Sequence, residues 1–158
     1  MMLNNKELPI KNPIYIMATC FGVGLIPLAP GTFGSLFGML IFWLTVYLGQ
    51  ETQIIIAGLL LVNGIWVCGV CSKRLNIHDH PSIVWDEMSA MYSLLLFVPS
   101  TGVSLAAVFL LFRLFDIWKP WPINIVDSKV HGGVGIMLDD IMAGVAAIFF
   151  YNIISGLI

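Results

Sequence analysis

The uncharged run MSAMYSLLLFVPSTGVSLAAVFLLF, residues 88–112, decides how this chain is organised. Its 25 residues would suffice for one membrane-crossing helix, which needs about 20 largely apolar residues. It also contains Pro99-Ser-Thr-Gly102, a turn sequence that would divide it in two. The basic residues choose between these readings. With the run divided, Lys6, Lys11, Lys73, Arg74, Arg113, Lys119 and Lys129 all fall on one side of the membrane. With it undivided, the last three face away from Lys73 and Arg74. Lys and Arg concentrate on the cytoplasmic side of bilayers, so the divided reading is expected.

Composition supports the membrane setting. The 158 residues are 59% hydrophobic and 10% charged, with mean hydropathy +0.96, whereas soluble chains are roughly 25% charged. Seven basic and nine acidic side chains cannot clothe a soluble domain of this length. A net charge of −2 offers nothing to a nucleic-acid backbone, so no nucleic-acid partner is expected. Cys20, Cys68 and Cys71 are an odd number in apolar surroundings and give no disulfide framework.

Charge spacing then delimits the spans. Residues 12–50, 52–72 and 141–158 are also uncharged. The expected fold is all-α, a polytopic membrane helical bundle of about five spans. These are Phe33–Leu48, Gln53–Cys71, Ile83–Val98, Val103–Trp118 and Leu138–Ile154. Residues 1–13 read as a cytoplasmic tail with no cleavable leader, and residues 14–158 as a single membrane-embedded domain. Ile14–Phe21 is too short for a clean span and reads as a surface or re-entrant helix. It leads into a loop rich in glycine and proline that includes Gly31–Ser35.

This topology gathers Asp79, Asp86, Glu87, Asp116, Asp127, Asp139 and Asp140 onto the cytoplasmic face, with all three histidines. Carboxylates at the ends of membrane helices are costly unless they meet water, a cation or a donor. One acid per helix start is ordinary capping. Two adjacent acids on each of two helices, with Asp116 on a third, call for more. Oxygen ligands from several elements suit Mg²⁺, which keeps waters and bridges to phosphate. Asp86, Glu87, Asp139 and Asp140 are the expected metal shell, with Asp116 a further ligand or the base for an attacking water. Arg113 is expected on a phosphate, and Lys119 as a second phosphate contact or a membrane anchor. Gly31, Thr32, Gly34 and Ser35, like Gly132 and Gly133, precede helix starts, where backbone N–H groups can approach an anion. Neither glycine segment is a nucleotide-hydrolysing loop, for no Gly-Lys-Ser/Thr follows. His78, His80 and His131 are candidates to protonate a leaving oxygen. Cys68 and Cys71 have redox spacing but lie in a run that reads as buried helix.

Four segments carry a resemblance that covers nearly the whole chain from about Ile14. They are GVGLIPLAPGTFGSL (22–36), IHDHPSIVWDE (77–87), FRLFDIWKPWPI (112–123) and HGGVGIMLDDIMAG (131–144). In order and spacing the sequence resembles the bacterial phosphatidylglycerophosphatase A family. One departure is Ala90, where the family pattern has glycine. The resemblance implies Mg²⁺-dependent hydrolysis of phosphatidylglycerophosphate to phosphatidylglycerol and inorganic phosphate. It also implies a multi-pass protein of the bacterial inner membrane with its site toward the cytoplasm. Membrane lipids are then the other expected partners, and oligomeric state stays open. Direct water attack and an aspartyl-phosphate route are both compatible with these residues. The rival readings are a phosphatase for another lipid phosphate and a cation-binding or transport protein. A transporter would carry its acids near the middle of the bilayer rather than at helix ends.

Overall fold

The computed structural model describes residues 12–156, in which every regular element is helical. The tail expected over residues 1–13 therefore lies, up to residue 11, outside the described residues, as do residues 157–158. Seven α-helices follow in order: α1 Pro13–Ala18, α2 Pro30–Thr45, α3 Gln50–Leu75, α4 Trp85–Leu94, α5 Gly102–Trp118, α6 Ile123–Lys129 and α7 Gly132–Gly156. A single 3-10 turn extends α2 to Leu48 and another extends α4 to Phe97.

The long elements coincide with the expected spans, shifted by a few residues at their ends. The chain is an all-α membrane helical bundle, and Pro30–Leu48, Gln50–Leu75 and Gly132–Gly156 are each long and apolar enough to cross a bilayer. The outer surface is that of a protein solvated by lipid. Trp43, Leu44, Ile55, Leu59, Val62, Leu110, Ile117, Val145 and Phe149 are all more than half exposed, where a soluble protein would place polar groups.

Local sequence explains where the helices start and stop. Asn12 caps α1 by accepting from the Ile14 N–H at 3.0 Å, and Pro13 occupies the first helical position. The Pro99–Gly102 turn forms as expected, with the Thr101 hydroxyl accepting from the Ser104 N–H at 3.2 Å to cap α5. Lys73 and Arg74 fill the last turn of α3, where the helix dipole favours cations. α5 ends at Lys119 in a left-handed conformation, just before Pro120.

Of the two irregular N-terminal segments, the first is a short non-crossing helix as expected and the second departs from expectation. α1 has six residues, about 9 Å of helix, so it cannot cross a bilayer; Tyr15 and Ala18 are buried and it packs on α3. Gly31–Ser35 is not a loop but the first turns of α2, with Pro30 at the helix start. Three glycines at helical spacing put one bare face of α2 against α4. A methyl group on Gly34 would strike Val84, and one on Gly38 the Met88 carbonyl. Small residues let helix backbones approach closely in lipid, where packing replaces the hydrophobic drive.

α4 is the centre of the bundle, touching α2, α3 and α7. Eight of its ten residues are buried. The Trp85 indole donates to the Leu60 carbonyl at 3.0 Å, and the Tyr92 hydroxyl meets Thr45 at 3.0 Å. With its 3-10 turn α4 is about 21 Å long, short of the roughly 30 Å hydrocarbon thickness. It is enclosed by protein rather than by lipid. Cys20, Cys68 and Cys71 are buried free thiols in the same core.

Candidate active site

The start of α2, the start of α4, the end of α5 and the first turns of α7 meet at one end of the bundle. Asp86 and Glu87 occupy the first turn of α4, and Asp140 lies two turns into α7. One carboxylate oxygen from each of Asp86, Glu87 and Asp140 lies within 4.8 Å of the others. Asp86 and Asp140 are buried. Asp140 also lies against Asp116, which adds a fourth carboxylate to the cluster's edge.

Such a cluster is unstable without a positive partner. Arg113 supplies part of one. Its Nη1 is 2.5 Å from Asp116 Oδ2, one turn along α5, and 3.3 Å from the Ser35 hydroxyl, to which it donates. Ser35 in turn donates to the Gly31 carbonyl at 2.9 Å. A side chain on Gly31 would overlap Glu87 Oε1 and crowd Arg113. Gly31 is therefore what lets the α2 terminus reach the acids and the arginine. Among the described residues, Asp86 Oδ1, Glu87 Oε2 and Arg113 Nε are buried with no hydrogen-bond partner. Buried polar atoms are nearly always paired, so three orphans side by side indicate a group that this site is built to receive.

Asp139 belongs to a different arrangement. Lys119 Nζ lies 2.5 Å from Asp139 Oδ2 and 2.6 Å from Asp127 Oδ1. Burial alone would make the Lys119 ammonium easier to deprotonate, but hydrogen bonds and charge from both carboxylates outweigh it and raise the pKa. Burial would likewise raise Asp127; the Lys119 hydrogen bond and charge reverse this and hold its carboxyl below the usual range. So the lysine ties α5, α6 and α7 together, and Asp139 Oδ1 is left buried and unpartnered.

The expected site is thus brought together in part. Asp86, Glu87, Asp140, Asp116, Arg113, Ser35 and Gly31 converge. Asp139 and Lys119 bind each other beside the three-carboxylate group rather than within it. Gly133 is a helix-contact residue, because a side chain there would strike the Ile65 carbonyl on α3. His78 and His131 pack edge to face with ring centroids 5.0 Å apart. They line a separate groove of about 530 Å³ with Ser72, Lys73, Asn76 and Gly132. His80 Nδ1 accepts from the Ser82 N–H at 3.2 Å and shapes the approach to α4. Asp127 had no assigned role in the sequence, since only the fold brings α6 against Lys119.

Residues 16–155 match the family model of phosphatidylglycerophosphatase A. The chain is 42% identical over 141 residues to phosphatidylglycerophosphatase A of Escherichia coli, covering 89% of this chain and 82% of that protein. It is 41% identical over 145 residues to the Haemophilus influenzae protein of the same name, covering 90% and 89%. A Bacteroides thetaiotaomicron protein, provisionally named a phosphatidylinositol-3-phosphatase, is 34% identical over 148 residues, covering 86% and 91%. No solved structure matches the chain. On the family match and these identities, the chain belongs to the phosphatidylglycerophosphatase A family and is a phosphatase.

Proposed function

We propose that the protein removes the terminal phosphate of phosphatidylglycerophosphate, releasing phosphatidylglycerol and inorganic phosphate, and that Mg²⁺ serves the reaction. The observation that carries this reading is the convergence of Asp86, Glu87 and Asp140 beside Arg113, with one unpartnered buried oxygen on each of the first two. Three carboxylates from two helices are hard oxygen donors, and Mg²⁺ fits that donor set. Asp86, Glu87 and Asp140 would hold the ion, which when bound supplies charge to stabilise the phosphate oxygens during transfer.

The chain's own residues do the remainder. Phosphoryl transfer passes through a loose transition state, so positioning and charge matter more than a strong base. Ser35 and Asp116 fix Nη1 of Arg113, and the unpaired Nε is free to donate to a phosphate oxygen. The α2 terminus at Gly31 adds the positive end of a helix dipole. A water attacks phosphorus, the ester P–O bond breaks, and the proton lost by water balances the proton gained by the glycerol oxygen. Asp116 here acts as a positioning residue for Arg113.

The charged end of the bundle carries Lys73, Arg74, Arg113, Lys119 and Lys129, while the opposite turns at Gly49 and Pro99–Thr101 carry no basic residue. That asymmetry supports five crossings in a bacterial cytoplasmic membrane with the site toward the cytoplasm. A second reading, a phosphatase for another lipid phosphate, has the Bacteroides relative on its side. Phosphate release from phosphatidylglycerophosphate, phosphatidylinositol 3-phosphate and phosphatidic acid, with Mg²⁺ or chelator, tests both. Preference for the first substrate and loss under chelation are expected. Preference for another lipid overturns the substrate, and chelator-resistant turnover overturns the metal.

A further inference from the structure

An apolar groove of about 590 Å³ runs beside the charged end of the bundle, and none of its lining residues is charged. Its position is set by the same helices that carry the site. On α5 the groove residue Phe115 is next to Asp116. On α7 the groove residue Met142 lies one turn beyond Asp139, on the same helix face. From there the groove follows α7 through Ala146 to Phe149 and Phe150, so that with Asp139 the face covers about 16 Å. Lys119, pinned between Asp127 and Asp139, stands at its charged end.

The walls are stiff and the floor is small. Phe150 packs on Phe115 at 5.1 Å and on Phe149 at 5.6 Å between ring centroids. Trp118 and Trp121 flank the mouth and are largely exposed. Half-buried Ala146 lies between larger neighbours and makes the surface concave. The volume falls within the range of small-molecule sites.

We infer that this groove seats an acyl chain of the phosphate-bearing lipid substrate, with the lipid's head group at the Arg113 and carboxylate centre. The inference rests on the lipid phosphatase reading above. A lipid phosphate reaching this centre from the bilayer must lay its chains down the outside of the bundle. The groove is a concave apolar path that begins next to Lys119 and Asp139, beside the carboxylate centre. It orients the substrate and does not extract it, since the chain moves from one apolar setting to another. The phosphate is thereby aimed at the acids at little cost in rotational freedom.

Two measurements test this. The first compares kcat/KM on dioleoyl and dihexanoyl phosphatidylglycerophosphate for wild type and Ala146→Trp, in which the indole fills the floor. The ratio of long- to short-chain kcat/KM should fall about tenfold; an unchanged ratio overturns the groove. The second uses wild type with phosphatidylglycerophosphate carrying a diazirine in one chain, so it stands even if the variant fails to fold. Crosslinks to Met142, Ala146 or Phe149 should be suppressed by unlabelled lipid phosphate monoester and not by phosphatidylcholine. Equal suppression by both marks an ordinary boundary lipid and overturns the inference. Absence of turnover by wild type would count against the phosphatase reading instead, because crosslinking requires binding alone.

Discussion

Gly31→Ala isolates the geometry of the site from its chemistry. The added methyl group falls on Glu87 Oε1 and 3.1 Å from both Glu87 Cδ and Arg113 Nη2. Restoring an ordinary contact needs about 1 Å of movement. The groups that must move are ends of side chains, not backbone, so the bundle should remain folded. Displacements of this size at a reacting centre cost about a hundredfold in rate, or about 2.7 kcal/mol of activation free energy. Gly58→Ala is the control, because nothing lies within 4 Å of a methyl group there. It should leave turnover unchanged and gain about 0.5–1 kcal/mol of helix stability. The assay is phosphate release under single-turnover conditions, with thermal unfolding in detergent for both variants. Wild-type kcat/KM in folded Gly31→Ala would refute the claim that α2 touches the reacting groups.

Asp140→Asn and Glu87→Gln should each lower phosphate release by at least about a hundredfold, with apparent Mg²⁺ affinity weakened; unchanged metal dependence in titrations would remove them from the ligand set. Lys119→Met should cost about 1–2 kcal/mol in denaturant unfolding, reduced from the value for a fully buried pair because Asp127 is partly exposed. The same tie predicts a pH window. Asp127 is depressed by Lys119, so its contribution is present above the ordinary carboxyl pKa of about 4 and lost as pH falls through the folded value. Lys119 is raised, so its contribution is present below about 10.4 and lost only as pH climbs past the folded value. The fall of Tm in acid that comes from this tie should therefore be weaker in Lys119→Met than in wild type.

The spans were legible because charge is scarce: the long uncharged runs mark the bodies of the helices, and charges enter toward their ends. The turn at Pro99–Gly102 and the stop at Pro120 were readable from residue chemistry alone. α6 was not, since INIVDSK is short and polar enough to pass for a loop. The structure sorts the four carboxylates into two neighbouring arrangements. Lys119 holds Asp139 to one side, while Asp140 faces the α4 acids. Sequence does not say which of them faces the α4 acids. The glycines were read as anion-binding loops, yet their spacing at 31, 34 and 38 already marks one helix face. The partner that this face meets, α4, is a feature of the fold.

The brevity of α4 has a consequence for how the protein is made. Ten residues with Asp86 and Glu87 in the first turn are a poor substrate for autonomous insertion. Acids near the end of a membrane helix still oppose insertion, and the segment is too short to compensate. α2 and α3 have the length and hydropathy to insert by themselves, whereas α4, packed against both, is suited to follow by docking. The reactive end is then assembled after the frame is already in the bilayer. Catalytic competence becomes the last event of biogenesis, and damage to the glycine face of α2 would show first as protein inserted but inactive.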